Sequence, residues 1–309
     1  MSWSPADIPD LSGRTALVTG VSVGGLGHFT SLELARAGAR VVLAGRSPDK
    51  LTETDRTIRA ELPDALLERL VVNLASLASV RSAAAEAATF GSLDLLVNNA
   101  GIMAPPYSRS VDGFESQLAT NHFGPFLLTG LLLPQLAADA RVVTVSSQMH
   151  RLAHKAPLGD PRAKPRPYLR WIAYSQTKLA NLLFTFELDR RLRSSGSTVK
   201  ALAAHPGLAG THLVANGRFG RSTGGLASIF DAAARGFAQS PAVGSWPTLM
   251  ATTADLPGSS YCGPSGLGET AGAPELVGWS RLAGNESVQR QLWELSEETT
   301  GITYPWPAA

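Results

Sequence analysis

The sequence predicts an α/β fold, a Rossmann-type doubly wound parallel sheet with helices on both faces. Three observations predict it. Short apolar runs alternate with helical segments along the chain. Each run is unbroken rather than alternating apolar and polar, as strands buried on both faces require. A glycine-rich turn follows the first run at once, which is the start of a βαβ unit.

The elements follow in order. Residues 15–19, TALVT, read as a strand, residues 28–36 as a helix by their apolar spacing, and residues 39–44, ARVVLA, as the second strand. Ser47 and Pro48 open a helix as cap and first helical residue, and Pro63 stops it after Leu62. Strands are expected at 67–73, 93–98, 141–145 and 199–204, with helices at 76–90, 111–138 and 168–195 between them. The last third is less regular. Helices are expected at 227–239 and 242–254, a final strand at 259–263, and a terminal helix over 286–299 capped by Asn285. Residues 1–309 are expected to form a single dinucleotide-binding domain. Its core runs over about 12–265, a substrate-covering segment over about 212–255, and a C-terminal extension over about 266–309.

Bulk properties narrow the function. The chain has 309 residues, 44% of them hydrophobic, enough for a sizeable core in one large domain. A net charge of +2, from 27 basic and 25 acidic residues, makes no case for nucleic acid or an anionic membrane as partner. Cys262 is the only cysteine, so no intramolecular disulfide forms, and a cytoplasmic location is expected. Residues 1–14 lack the basic and apolar regions of a signal peptide. The most apolar stretch, 123–136, is interrupted by Pro125, Gly130 and Pro134 and is too short to span a bilayer. It reads as a buried helix.

The turn Thr19-Gly20-Val21-Ser22-Val23-Gly24-Gly25-Leu26-Gly27 has the composition of a pyrophosphate site. Glycines let the backbone approach the phosphates and aim a helix N-terminus at their charge. The second strand ends at Ala44-Gly45-Arg46, with no carboxylate at 43–46. A carboxylate there would accept from the ribose 2′-hydroxyl of NAD, whereas an arginine suits the 2′-phosphate of NADP. The expected cofactor is therefore NADP (NADPH) in preference to NAD.

Tyr174 and Lys178 stand at i and i+4 on one helix face. A phenol titrates near pH ~10, too high for a base at neutral pH, and a nearby ammonium lowers that value. Hydride transfer to a carbonyl needs an acid for the new alkoxide, and alcohol oxidation needs the same group as base.

The order of these features resembles the short-chain dehydrogenase/reductase family over roughly residues 12–265. The glycine turn is followed by Asn98-Asn99-Ala100-Gly101, then Asn121 in NHFGPF, then Ser146-Ser147 at the end of the fifth strand, then Tyr174 and Lys178, then Pro206-Gly207 and Thr211. The resemblance implies that Ser147, rather than Ser146, polarises the substrate carbonyl and that Tyr174 is the acid/base. It implies that Lys178 holds the nicotinamide ribose and lowers the tyrosine pKa, and that Asn121 fixes a water relaying protons to Lys178. Gly20, Ser22, Gly25, Leu26, Gly27, Arg46, Asn73, Leu74, Asn99, Ala100, Gly101, Tyr174, Lys178, Pro206, Gly207 and Thr211 are the implied cofactor contacts, with Asn98 and Ala100 flanking the adenosine ribose.

Two departures stand out. The glycine turn is one residue longer than the family's usual TGxxxGxG, so one of Val23, Gly24 and Gly25 must bulge. Asn73 stands where the family usually has Asp, and its amide can both donate to and accept from the adenine edge. The long stretch between Ser147 and Tyr174, and YSQTKLANLL at 174–183, resemble the retinol dehydrogenase and protochlorophyllide reductase-like branch. That branch implies a medium-to-large, largely apolar carbonyl or alcohol as substrate. Arg151, Lys155, Arg162, Lys164, Arg166 and Arg170 make the stretch basic, either as a solvated loop or as an attractor for an anion.

Trp171, Met103, Met149, Phe219 and Trp246 are candidate pocket-lining residues. His150 and His154 lack a third ligand at recognisable spacing, so no metal is expected. His205 is read only as the residue before the Pro-Gly turn. A non-catalytic NADP-binding regulator and a C=C bond reductase remain alternatives. A homodimer or homotetramer would form through the long helices at about 111–138 and 168–195, for which the apolar Leu182, Leu183 and Phe186 fit either pairing or core packing.

Overall fold

The computed structural model describes residues 2–164, 167–208 and 239–306. Its eight-stranded sheet has the order β3-β2-β1-β4-β5-β6-β7-β8. The strands are β1 (Thr15–Thr19), β2 (Arg40–Gly45), β3 (Leu67–Val71), β4 (Leu93–Asn98), β5 (Leu136–Val145), β6 (Lys200–Ala204), β7 (Tyr261–Pro264) and β8 (Pro274–Leu276). All neighbours are parallel except β7 and β8. The order reverses between β1 and β4, where ligands of such sheets bind outside the strand ends. This is the Rossmann-type sheet the alternation predicts. The antiparallel β8 is new, and its three residues, Pro-Glu-Leu, carry no strand pattern.

Helices cover both faces. On one face α1 (Leu26–Arg36), α2 (Pro48–Glu61) and α8 (Trp246–Thr253) enclose a core of Ala16, Val18, Leu34, Leu43, Ile58 and Leu249. On the other, α3 (Leu77–Ala87), α5 (Gly124–Leu132), α6 (Arg170–Ser194) and α9 (Glu286–Thr300) enclose Leu70, Val80, Phe126, Leu128, Phe184 and Trp293. The cap expected for α2 forms, with Ser47 Oγ accepting from Lys50 N. Asn285 likewise caps α9, accepting from Ser287 N and Val288 N.

The helix expected over 111–138 is shorter. It begins with α4 (Ser116–Leu118), passes through a π-helical turn at Ala119–Phe123, and continues as α5. Before it, Gly113 turns the chain at φ +85°, and Asp112 is occupied in capping Leu77 N. After it, Pro134 at the start of a 3₁₀ turn cannot continue an α-helix. The chain then enters β5 at Leu136, five residues earlier than expected, across a register shift opposite Leu93 and Leu95.

Two further regions are placed by packing. Of the segment 212–255, the described part, 239–255, holds α7 (Pro241–Gly244) and α8, whose Leu249 and Ala251 pack into the core. Residues 212–238 lie outside the described residues. Leu182, Leu183 and Phe186 are consumed within this chain, against Ala153, Ala156, Tyr261 and Leu292. Helix α9 and the tail after it also close the α5 surface. The Tyr304 hydroxyl donates to Phe126 O at 2.7 Å, and Trp293 packs on Phe126 with ring centroids 5.0 Å apart. Among the described residues, no helix is long and apolar enough to cross a membrane.

Candidate active site

The glycine turn lies against the end of β4 with almost no space between. A Cβ on Gly20 would sit 2.7 Å from Ala100 Cα, and one on Gly27 would sit 2.5 Å from Asn99 Nδ2. Asn99 Nδ2 donates to Thr19 O at 2.7 Å and Gly20 O at 3.2 Å, while Thr19 Oγ1 accepts from Asn99 N and Ala100 N. Thr19 thus joins the two loops, a role missed from sequence although its position in the turn was read. The extra residue is absorbed at Gly24, which adopts φ +75°, and Gly25 becomes the N-cap of α1. No side chain caps this helix, so its amide end is left to an anion. Such a cradle fits a nicotinamide dinucleotide.

The remaining cofactor candidates are placed unevenly. Arg46 is exposed at the end of β2 and has no ion pair or hydrogen bond among the described residues. Ser22 is exposed in the turn. Asn73 spends its Oδ1 on Ala75 N at 3.1 Å, which leaves its amide NH2 for an adenine edge. Leu74 is buried, its carbonyl pressed against Gly124 of α5. Asn98 does not flank a ribose with its side chain. It is buried and donates to Thr129 Oγ1 at 3.0 Å inside the core, because β4 points it toward α5. Pro206 and Gly207 form a turn in which Gly207 takes φ +63°, and Leu208 N donates to Thr270 O at 2.8 Å. Gln239 Nε2 donates to Pro206 O at 2.8 Å. Thr211, Phe219 and Arg166 lie outside the described residues.

The four chemical residues converge at the end of β5. The Ser146 hydroxyl is committed to Lys178 O at 2.7 Å, whereas the Ser147 hydroxyl accepts from Met149 N at 3.2 Å and bears on the ionisation of the Tyr174 phenol. Lys178 Nζ donates to Val145 O at 2.9 Å and Asn181 Nδ2 to the same oxygen at 3.0 Å. Asn121 sits in the π-helical turn, a distortion frequent at functional sites. Its Oδ1 accepts from Ile102 N at 2.8 Å, and its Nδ2 donates to Ile102 O and Thr177 Oγ1. Gly101 lies between, since a Cβ there would be 3.2 Å from Asn121 Oδ1 and 3.6 Å from Lys178 Nζ. Thr177 and Asn181 were not singled out from sequence, and their place one residue before and three after Lys178 is the only signal.

Electrostatics differ from the sequence expectation. Burial pushes the Tyr174 phenol up to about 12, with the Ser147 hydrogen bond opposing it. Burial pulls the Lys178 ammonium down to about 8. The ammonium is spent on Val145 O and lies 5.8 Å from the Tyr174 ring centroid, so it does not depress the phenol here.

Around the site, the ring of Trp171 meets that of Tyr174 edge-on with centroids 6.4 Å apart. Met103 and Met149 are half-buried. Trp246 packs with the α1 and α2 core instead, on the other face of the sheet from α6. Three of the six basic residues have side-chain partners among the described residues. Arg151 bridges to Glu269 at 2.8 Å, Arg162 covers the Phe114 ring and Lys164 the Tyr107 ring. His150 is buried with backbone partners, His154 is exposed, and no cluster of metal-ligating side chains occurs among the described residues. His205 does more than precede a turn. Its Nδ1 accepts from Gly207 N, and its Nε2 lies 3.1 Å from Glu269 Oε2.

The chain is similar in sequence and fold to known proteins. The family model for short chain dehydrogenases matches residues 14–158. Human retinol dehydrogenase 13 is 39% identical over 98% of this chain and 88% of its own length. The chain belongs to the short-chain dehydrogenase/reductase family, in its retinol dehydrogenase-like branch. Mouse polyprenol dehydrogenase is 36% identical over 97% of this chain and 87% of its own length. A crystal structure of an uncharacterised protein from Mycobacterium paratuberculosis is 42% identical, with a TM-score of 0.81 over 99% of this chain and all of that one. Membership brings the family's chemistry, a nicotinamide-dependent hydride transfer between a hydroxyl and a carbonyl.

Proposed function

We propose that the protein is an NADP(H)-dependent oxidoreductase acting on a medium-to-large, largely apolar alcohol or its carbonyl, with Ser147, Tyr174, Lys178 and Asn121 as its working residues. The observation that carries this reading is the convergence at the end of β5 of Ser147 and Tyr174 with a buried Lys178 and a clamped Asn121. When bound, the nicotinamide would supply or take the hydride. Ser147 holds the substrate oxygen. Tyr174, a phenol that burial keeps protonated, gives its proton to that oxygen as it becomes an alkoxide. In the reverse direction the same oxygen of Tyr174 takes the proton. Lys178 and Gly101 line the ribose side, and Asn121 holds the π-helical turn open against Ile102.

Arg46 supports NADP(H), since an exposed arginine at the end of β2 with no partner among the described residues is available to a 2′-phosphate. The substrate class is supported by two relatives named for retinol and polyprenol, both alcohols of long isoprenoid chains. Residues 1–309 are read as one unit, because the sheet runs without a break from β3 into β8 of the C-terminal extension.

Tyr174→Phe tests the reading. With NADPH and a panel of apolar carbonyls, the variant should bind NADPH as the parent does and lose about 100-fold or more in kcat. Unchanged kcat would remove Tyr174 from the mechanism.

A further inference from the structure

His150 is fully buried, touches no expected cofactor position, and belongs to no metal cluster among the described residues. Its ring is nevertheless held at both nitrogens. Nε2 accepts from Ser280 N at 3.1 Å, and since that nitrogen accepts, the ring proton resides on Nδ1. Nδ1 then donates to the Ser147 carbonyl at 2.8 Å. The same carbonyl accepts from His150 N at 3.0 Å, which closes a tight turn over Ser147, Gln148, Met149 and His150. Closing that turn brings Met149 N to within 3.2 Å of Ser147 Oγ, to which it donates. A hydroxyl has one proton and two acceptor positions. With one acceptor position filled by Met149 N, the Ser147 hydroxyl keeps its proton and its other acceptor position for the site. The ring is further fixed edge-on against Tyr261 of β7, with centroids 5.7 Å apart. Burial pulls the imidazole down to about 4, so it keeps one proton at neutral pH.

From this geometry we infer that His150 is a positioning residue for Ser147, clamped by Ser280 of the C-terminal extension so that its Nδ1–H locks the turn that orients the catalytic hydroxyl. The inference rests on the role proposed for Ser147. It gives the C-terminal extension a part in the chemistry that its distance in sequence from Ser147 does not suggest.

The full-length enzyme tests it with three substitutions at one position. His150→Asn keeps an N–H donor where Nδ1 stands, His150→Gln moves the donor one bond further out, and His150→Leu removes it. Misplacing a reacting group by ~1 Å costs about 100-fold, so Gln and Leu should lose about that factor in kcat. NADPH affinity, read by fluorescence quenching, should change less than about twofold, and Asn should recover to within about fivefold of the parent. Equal losses in all three variants, or a KM rise at unchanged kcat, would make His150 a packing residue only. If the variants fail to fold, the parent still decides. In 15N spectra the His150 resonance, assigned among the six histidines, should show Nδ1 protonated and Nε2 bare at neutral pH; the opposite tautomer overturns the inference. Ser147→Ala separates the two layers. If it leaves kcat unchanged, the proposed function of Ser147 fails; if it abolishes kcat while His150→Leu does not, only the positioning role fails.

Discussion

The Lys178 ammonium donates to the carbonyl of Val145 at 2.9 Å, two residues before Ser147 on the same strand end. A buried ammonium held by a neutral carbonyl keeps its charge poorly, and burial brings it down to about 8, while the Tyr174 phenol stays protonated up to about 12. Carbonyl reduction needs the phenol protonated and the ammonium charged. The first condition holds across the neutral range, and the second is lost as pH rises through about 8. The kcat/KM for NADPH, which reports ionisations of the free enzyme, should therefore be flat below that pH and fall above it. Lys178→Arg, whose guanidinium does not titrate there, should abolish the falling limb whatever its absolute rate. A parent profile that stays flat to about pH 10 would show that Lys178 charge is not required.

Arg46 sets the second expectation. A charge-assisted contact to phosphate is worth ~1.5–3 kcal/mol, which is about 10- to 150-fold in binding. Arg46→Glu should raise the KM for NADPH by that factor and leave the KM for NADH unchanged or lower. Steady-state kinetics with both cofactors checks it, and equal effects on the two would remove Arg46 from the 2′-phosphate site.

Much of this arrangement is legible in the chain before any coordinates. The glycine turn, the unbroken apolar strands and the caps at Ser47 and Asn285 are local signals, each settled within a few residues. Ser147 is legible at a strand end and Tyr174 with Lys178 on one helix face, while Asn121, in the π-helical turn, is legible only through the order it shares with the family. What sequence misses is held by long-range contact. Asn98 is turned into the core by Thr129, Trp246 is drawn into the α1 face, and β8 exists only because β7 offers it an edge. His150 is of the same kind, since its spacing from His154 without a third ligand gives it no role in sequence and only Ser280, 130 residues away, shows its use.

Asn121 offers a stability test. It is buried, and its amide satisfies both the N–H and the carbonyl of Ile102. Asn121→Ala leaves the N–H and carbonyl of half-buried Ile102 without the amide, at ~1–2 kcal/mol each. Urea unfolding should show a loss of about 2–4 kcal/mol with an unchanged m-value, together with reduced kcat. A loss below about 0.5 kcal/mol would mean that water replaces the amide and that the clamp on Ile102 is not structural.

Trp293 tests the C-terminal cover. It is buried against Phe126, Phe184 and Tyr304, and the Arg191 guanidinium lies 4.7 Å from its ring centroid. Truncating a buried tryptophan costs ~3–5 kcal/mol. Trp293→Ala should lose that much and expose apolar surface on α5 and α6, read as dye binding or self-association in sedimentation. Retained stability would show that α9 is dispensable to the fold.

The lengthened glycine turn makes a sharper prediction, because its glycines are not equivalent. Gly24 and Gly20 both adopt positive φ, at +75° and +77°. An alanine in that region costs ~1–2 kcal/mol from its own Cβ. At Gly20 the new Cβ would also lie 2.7 Å from Ala100 Cα and 3.0 Å from Ala100 Cβ. Backbone cannot yield as a flexible side chain can, so the turn must separate from the Asn99-Ala100 loop that Thr19 holds in place. Gly24→Ala should then lower Tm by only about 2–8 °C and keep NADPH-dependent stabilisation. Gly20→Ala should lose the NADPH-dependent shift altogether, even in preparations that remain folded. Thermal melts of both variants with and without NADPH check the contrast. Equal retention of the shift would mean that the close approach of the turn to Ala100 is not what shapes the cofactor cradle.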